Sequence, residues 1–156
     1  RMRGIAVCNS AAKIGTAQAW QERAATVRSQ GAAAMQALAD SAPGRWFTPG
    51  FTQAHPDVVQ RAQAWIAGIA PEGYAACCEA LATSDLRDSI SRIGVPTLLL
   101  AGADDPVTTV ADAQAMHDSI AGSSLAIVPA SHLSNLEAPQ AFEKAVVNFL
   151  AHAAKA

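Results

Sequence analysis

Two short apolar segments, each leading into a polar turn, constrain the fold of this chain most. Residues 95–101 (Val-Pro-Thr-Leu-Leu-Leu-Ala) lead into a turn that holds Asp105, and residues 124–128 (Ser-Leu-Ala-Ile-Val) lead into a loop that holds His132. Strands that are apolar throughout, rather than alternating apolar and polar, are typical of parallel sheets covered on both faces. The two segments therefore predict an α/β architecture in which Asp105 and His132 follow neighbouring strands.

Amphipathic helices lie between and after these strands. Thr109 is placed to cap a helix, and the residues that we expect to point inward from it are Ala113, Met116 and Ile120. The last helix has Pro139 near its start, and its predicted inward face consists of Phe142, Ala145, Val146, Phe149 and Leu150. Residues 4–8 read as a third buried strand. The pattern predicts three parallel strands with flanking helices.

Between the first and second strands the pattern is helical. Thr16 can cap a helix that Gly31 interrupts, a second helix covers about residues 32–39, and residues 45–50 read as a turn-rich aromatic link. Further helices begin at Pro56 and Pro71, because proline favours the first helical turn. The face predicted to be buried carries Trp20, Ala24 and Val27 in the helix after Thr16. In the helix that begins at Pro56 it carries Val58, Ala62, Trp65 and Ile69, and in the helix that begins at Pro71 it carries Tyr74, Cys78 and Leu81.

These elements divide the chain into three predicted parts. Residues 1–15 hold the first strand, residues 16–84 form an all-helical insertion, and residues 85–156 continue the sheet, beginning with a short helix over residues 85–93.

Composition excludes several classes of function. The chain has 156 residues, a net charge of −2 and 15% charged residues, so we expect no binding to nucleic acid or to an acidic membrane surface. Its longest strongly apolar run is too short to span a bilayer, and its first residues do not resemble a signal peptide. Three cysteines, Cys8, Cys77 and Cys78, fit reduced thiols in the cytoplasm, and no Cys or His falls into a metal-ligand spacing.

Asp105 and His132 are the candidate catalytic residues. An imidazole can act as a general base for a hydroxyl nucleophile, and a carboxylate can fix its tautomer and stabilise its protonated form. Asp104 is the alternative acid, and Gly102 would let the turn bend toward the histidine. Taken singly, each residue is more often an ordinary turn or loop residue, and it is the pair, with its order, spacing and position after two strands, that indicates catalysis. Glu137 reads as a charge at a helix N-terminus. The other histidines, His55, His117 and His152, read as solvated.

The order of these segments resembles the α/β-hydrolase superfamily. The matching text is Asp85-Leu-Arg, then Ile93 through Pro106 with Ala-Gly-x-x-Asp105, then Ala130-x-His132 followed by Glu137-x-Pro139. Four local stretches, residues 3–16, 45–51, 71–78 and 131–137, resemble 3-oxoadipate enol-lactonases of the β-ketoadipate pathway of aromatic catabolism. The resemblance covers residues 3 to about 150 and implies that the chain holds strands six, seven and eight of the fold with a helical cap.

The resemblance also implies a mechanism. A serine of a Gly-x-Ser-x-Gly elbow, a motif absent from this chain, would attack the lactone, His132 would take its proton, and Asp105 would orient His132. The implied partner is an N-terminal half of the same hydrolase, which carries this serine. The resemblance implies that no cofactor or metal is needed. It also implies that this chain alone is inactive. The candidates for binding the substrate carboxylate are Lys13, Trp20, Arg45 and Trp46. The alternatives are another capped hydrolase, either an esterase or a cofactor-free perhydrolase, or a non-catalytic fragment.

Overall fold

The computed structural model describes residues 2–153 and divides them into two units. The sheet unit comprises the chain up to Ala12, the segment Arg45–Thr48, and the chain from Leu86 onward. The helical unit comprises Lys13–Gly44 and Pro49–Asp85. In chain order the elements are β1 (Ile5–Cys8), α1 (Ala17–Gln30), α2 (Ala32–Ser41), α3 (Pro43–Trp46), α4 (Pro49–Ala54), α5 (Pro56–Ala67), α6 (Pro71–Thr83), a 3₁₀ turn (Ile90–Arg92), β2 (Thr97–Gly102), α7 (Val110–Ser119), β3 (Ser123–Val128), α8 (Ser134–Glu137) and α9 (Pro139–Ala153).

The three strands form one parallel sheet, which confirms the predicted fold class. The strand order is β1-β2-β3, with Ile5 opposite Thr97 and Thr97 opposite Ser123. The central strand β2 is buried along its whole length. Because all three strands run in the same direction, their carboxyl ends lie at one edge of the sheet, where functional groups collect in such folds.

Helices cover both faces of the sheet. Leu99 packs with Met116 of α7 and with Ile120, the residue that follows this helix. The next strand residue, Leu100, packs on the other face with Phe142 and Val146 of α9. Successive side chains of a strand point to opposite faces, so β2 supplies the core of both layers. A capping box begins α7: Thr109 accepts a hydrogen bond from the Asp112 backbone, and Asp112 accepts one from the Thr109 backbone.

One residue of the predicted α9 face is wrongly assigned. Leu150 is 55% exposed, whereas Phe142, Ala145 and Val146 pack on the sheet as predicted. At 3.6 residues per turn, position 150 lies about 80° around the helix from position 142. That rotation carries Leu150 off the narrow apolar stripe.

The helical unit contains two packed helix pairs, α1 with α6 and α2 with α5. The side chain of Thr16 accepts a hydrogen bond from the Ala19 backbone, and Ala24 and Val27 are buried, as the sequence predicts. Gly31 ends α1 with a positive φ of 58°. Arg28 of α1 ion-pairs with Glu72 and Glu79 of α6, the former at 2.7 Å. These pairs raise the pKa of Arg28 and lower those of both glutamates.

The predicted buried face of α5 is rotated in the structure. Val59, Ala62 and Ile66 are buried, while Trp65 is 53% exposed and Ile69 is 41% exposed. The side chain of Gln63 donates a hydrogen bond to the Ala39 carbonyl of α2, which fixes the neighbouring side of α5 against that helix. Apolar residues occupy two adjacent stripes of α5, and packing against α2 selects the one that the periodicity did not favour.

Local assignments also differ at the links. Residues 45–50, predicted as turns, contribute to the short helices α3 and α4, and residues 85–93 contain a 3₁₀ turn in place of an α-helix. Within residues 2–153, no helix combines the length and the apolar character that crossing a bilayer requires.

Candidate active site

Asp105 and His132 meet at the carboxyl edge of the sheet. Asp105 lies three residues beyond β2 and His132 lies four beyond β3, and the Nδ1 atom of His132 is 2.8 Å from Oδ2 of Asp105. The carboxylate side chain is fully buried, and the imidazole is 21% exposed. A proton on Nδ1 that is donated to this carboxylate leaves Nε2 as the basic nitrogen, the tautomer that a general base requires.

Further donors surround the Asp105 carboxylate. The backbone N–H groups of Val107 and Thr108 donate to Oδ1 at 2.8 and 3.0 Å, and the Thr108 hydroxyl donates to Oδ2 at 2.9 Å. Burial alone would raise the pKa of Asp105. The hydrogen bonds from His132, Asn9, Thr108 and Val107 outweigh that effect, and the pKa lies well below its ordinary value. These hydrogen bonds therefore favour the ionised form of the Asp105 carboxylate.

Gly102 is required at the site for a reason other than the predicted flexibility of its turn. A Cβ atom at this position would lie 2.3 Å from the Ser131 carbonyl oxygen and 2.5 Å from that of Ala130. The loop that carries His132 thus passes directly over the end of β2, where only a residue without a side chain leaves room for it. The backbone hydrogen bond from Asp104 N–H to the Ala130 carbonyl, at 3.0 Å, holds the two turns together.

Asn9 is a site residue that the sequence analysis missed. Its amide nitrogen donates to Oδ2 of Asp105 at 3.0 Å and to the Ser131 carbonyl at 3.3 Å, and its Oδ1 atom accepts a hydrogen bond from the Ser134 hydroxyl. The available signal was its position directly after β1, at the same sheet edge as the two candidate residues. The hydroxyl of Thr108 was missed as well.

Glu137 anchors the loop that carries His132. It is the last residue of α8, and its carboxylate accepts hydrogen bonds from the Ser131 backbone at 2.9 Å and from the Thr48 backbone at 3.2 Å. As predicted, Glu137 is an acidic residue in the first turn of a helix, since α8 has only four residues, and its carboxylate also holds the backbone of two loops.

The other titratable candidates lie elsewhere. Asp104 is exposed, and the structure brings only its backbone to the site. His55 and His152 are exposed, as predicted. His117 is half-buried, with Nδ1 2.7 Å from the Ser123 hydroxyl, so the prediction that it is solvated is wrong.

The four predicted substrate-binding residues divide between the units. In the helical unit, Lys13 pairs with Asp85 at 3.1 Å, and the indole N–H of Trp20 donates to the Ile14 carbonyl at 2.6 Å. In the sheet unit, the Trp46 carbonyl accepts a hydrogen bond from the Leu133 backbone at 3.0 Å. The Arg45 carbonyl accepts one from the Ser131 hydroxyl at 3.4 Å. The structure thus brings the backbone of residues 45 and 46 to the His132 loop. The role of all four side chains in binding stays a prediction.

Comparisons with known proteins show which sequences and structures this chain resembles. No family model matches the chain. It is 51% identical over 146 residues to 3-oxoadipate enol-lactonase 2 of Acinetobacter baylyi and 39% identical over 142 residues to enol-lactonase 1 of that organism. These matches cover 94% and 91% of this chain but 54% and 52% of the relatives. The crystal structure of the enol-lactonase from Burkholderia xenovorans superposes with a TM-score of 0.91 at 38% identity, covering 97% of this chain and 57% of that one.

The fold and the comparisons define the class. The chain carries the C-terminal portion of an α/β-hydrolase fold, and it spans about half the length of the curated relatives that it matches. Within that class, its homologues are 3-oxoadipate enol-lactonases. Those homologues are hydrolases.

Proposed function

We propose that this chain supplies the acid and the histidine of a serine hydrolase that opens 3-oxoadipate enol-lactone. The observation that carries the proposal is the contact of 2.8 Å between His132 and Asp105 at the ends of two adjacent parallel strands. The names of the relatives at 51% and 39% identity support the substrate. In this proposal the nucleophilic serine and the oxyanion-hole N–H groups lie in a segment of the same hydrolase that precedes β1.

The proposed reaction has two halves. His132 takes the proton of the serine hydroxyl as the serine oxygen bonds to the lactone carbonyl carbon, and the ring C–O bond breaks. The departing enolate oxygen receives that proton and the enol becomes a ketone. A water molecule, deprotonated by the same imidazole, then bonds to the acyl carbon. The ester bond to serine breaks, the serine oxygen takes the proton back from His132, and 3-oxoadipate is released. Asp105 stays ionised throughout and stabilises the imidazolium at each step.

The geometry of the sheet supports the location of the missing nucleophile. β1 pairs with β2 along one edge only within the described sheet, so its other edge can accept a further parallel strand. A strand placed there would end at the same sheet edge as Asp105 and His132. This is where a nucleophile elbow would have to lie.

The proposal is tested with a polypeptide that contains this chain and the preceding segment with its serine. We expect hydrolysis of the enol-lactone to exceed that of aryl esters such as p-nitrophenyl acetate. Asp105→Asn should lower kcat by about 10⁴-fold, because an amide favours the wrong imidazole tautomer. The matched control, Asp104→Asn, makes the same chemical change on an exposed side chain and should leave kcat nearly unchanged.

Other outcomes decide between the alternatives. Faster turnover of aryl esters than of the lactone would indicate an esterase, and hydrogen-peroxide-dependent peracid formation would indicate a perhydrolase. Equal losses in the two aspartate variants would contradict the assignment of the acid. Lactone turnover by the 156-residue chain alone would refute the proposed division of the triad.

A further inference from the structure

Asn9 occupies an unusual backbone conformation at the end of β1. Its φ of 46° makes it the only non-glycine residue with a positive φ within residues 2–153. Asparagine tolerates this region better than most residues, although it still carries a cost there. The backbone N–H of Asn9 still donates to the Leu100 carbonyl at 2.8 Å, so the strand continues up to this residue before the chain turns.

The hydrogen bonds of the Asn9 side chain fix the orientation of its amide. The nitrogen contacts the Ser131 carbonyl and the Asp105 carboxylate, both of which only accept hydrogen bonds. The oxygen accepts from the Ser134 hydroxyl. A flipped amide would place its oxygen against two acceptors, so only one orientation satisfies all three partners.

The carboxylate oxygen that Asn9 contacts is the one that orients the histidine. Oδ2 of Asp105 accepts from Asn9 at 3.0 Å and from His132 Nδ1 at 2.8 Å, and the backbone donors bind Oδ1. The Ser131 carbonyl, which Asn9 also holds, belongs to the residue directly before His132. Asn9 therefore ties together the acid and the loop that carries the base.

We infer that Asn9 is a positioning residue for catalysis, which acts by holding Asp105 and the His132 loop in register, and that Ser134 sets the orientation of its amide. The inference rests on the proposed function, since it assigns a role within the same acid–histidine pair. A residue that only packs would contribute through its shape. A positioning residue contributes through the donor that faces the carboxylate.

The test compares two variants of Asn9 in the enzyme with its serine-bearing segment. Asn9→Asp keeps the shape and the tolerance for positive φ but replaces the donor by an oxygen, and Asn9→Gly keeps the backbone conformation but removes the side chain. We expect both to lower kcat by about 10- to 100-fold with KM nearly unchanged, and Asn9→Asp to lose at least as much as Asn9→Gly. Asn148→Asp makes the same change on an exposed helix position and serves as the control.

A second readout does not depend on turnover. The proton NMR resonance of His132 Nδ1–H, which reports the hydrogen bond to Asp105, should shift in both Asn9 variants and stay in place in the control. If Asn9→Asp retains wild-type kcat, or if the resonance does not shift, the inference is overturned. If the Asn9 variants do not fold, Ser134→Ala decides by the same two measurements, with a smaller effect expected.

The two hypotheses fail separately. An enzyme that hydrolyses p-nitrophenyl acetate but not the enol-lactone would contradict the proposed function. The kcat values of the Asn9 variants would then be compared with the ester as substrate. An enzyme that is active on the lactone but insensitive to Asn9→Asp would contradict the inference alone.

Discussion

Replacing Gly102 by alanine should destabilise the sheet unit and displace the candidate base. The new Cβ would lie 2.3 and 2.5 Å from two backbone carbonyl oxygens, whereas ordinary carbon–oxygen contacts are about 3.3 Å. The loop with Ser131 must therefore retreat by about 1 Å. Because the clashing atoms are backbone, no flexible side chain can absorb the change.

The magnitude follows from two contributions. Overpacking of this kind costs about 1–3 kcal/mol, and a weakened hydrogen bond between Asp104 N–H and the Ala130 carbonyl adds about 1 kcal/mol. We expect a loss of about 2–4 kcal/mol in the free energy of unfolding. The control is Gly94→Ala in the same unit, where an added Cβ meets nothing within 4 Å. That change should be neutral or stabilise the protein by less than about 1 kcal/mol.

Urea unfolding followed by circular dichroism measures both changes, and amide hydrogen exchange of β2 locates them in the sheet. Since the Ser131 carbonyl lies beside His132, kcat in the serine-bearing enzyme should fall together with stability. If the free energy of unfolding of Gly102→Ala lies within about 0.5 kcal/mol of the wild-type value, the close approach of the Ser131 loop to β2 is refuted.

Two further predictions concern ionisation. Because hydrogen bonds hold the pKa of Asp105 below its ordinary value of 3.8, its ionised form stabilises the fold above that pH. This contribution to stability should be lost as the pH falls below 3.8. Urea midpoints measured from about pH 5 to about pH 2.5 should therefore drop less steeply in Asp105→Asn than in the wild type. Parallel curves for the two proteins would contradict the prediction. Iodoacetamide should alkylate Cys77 first, because Cys77 is exposed while burial raises the pKa of the thiols of Cys8 and Cys78. Mass spectrometry of partly labelled protein shows the order, and faster labelling of Cys8 would contradict the partial burial of its thiol.

Features set by nearby residues could be predicted from the sequence. The caps at Thr16 and Thr109 and the break at Gly31 depend on a few neighbouring residues, and all three are confirmed. The three strands could be predicted because a short apolar run bounded by turn residues is typical of a strand in a chain of this kind.

Features that depend on residues distant in the chain could not be predicted from the sequence. Periodicity alone does not decide which of two adjacent apolar stripes of α5 is buried, because the choice depends on how α2 packs against it. Asn9 and Asp105 are 96 positions apart, and no local sequence pattern predicts the hydrogen bond between them. The need for Gly102 likewise comes from a loop that returns from beyond β3.

The first and last residues of the helical unit lie close together in space. Its first and last residues, Lys13 and Asp85, form an ion pair, and the flanking Ala12 and Leu86 of the sheet unit share a backbone hydrogen bond of 2.9 Å. A segment whose ends lie this close can be shortened, lengthened or exchanged without separating the strands on either side of it. The structure therefore predicts that changes of length in the helical unit are tolerated better than changes in residues 45–48, which belong to the sheet unit.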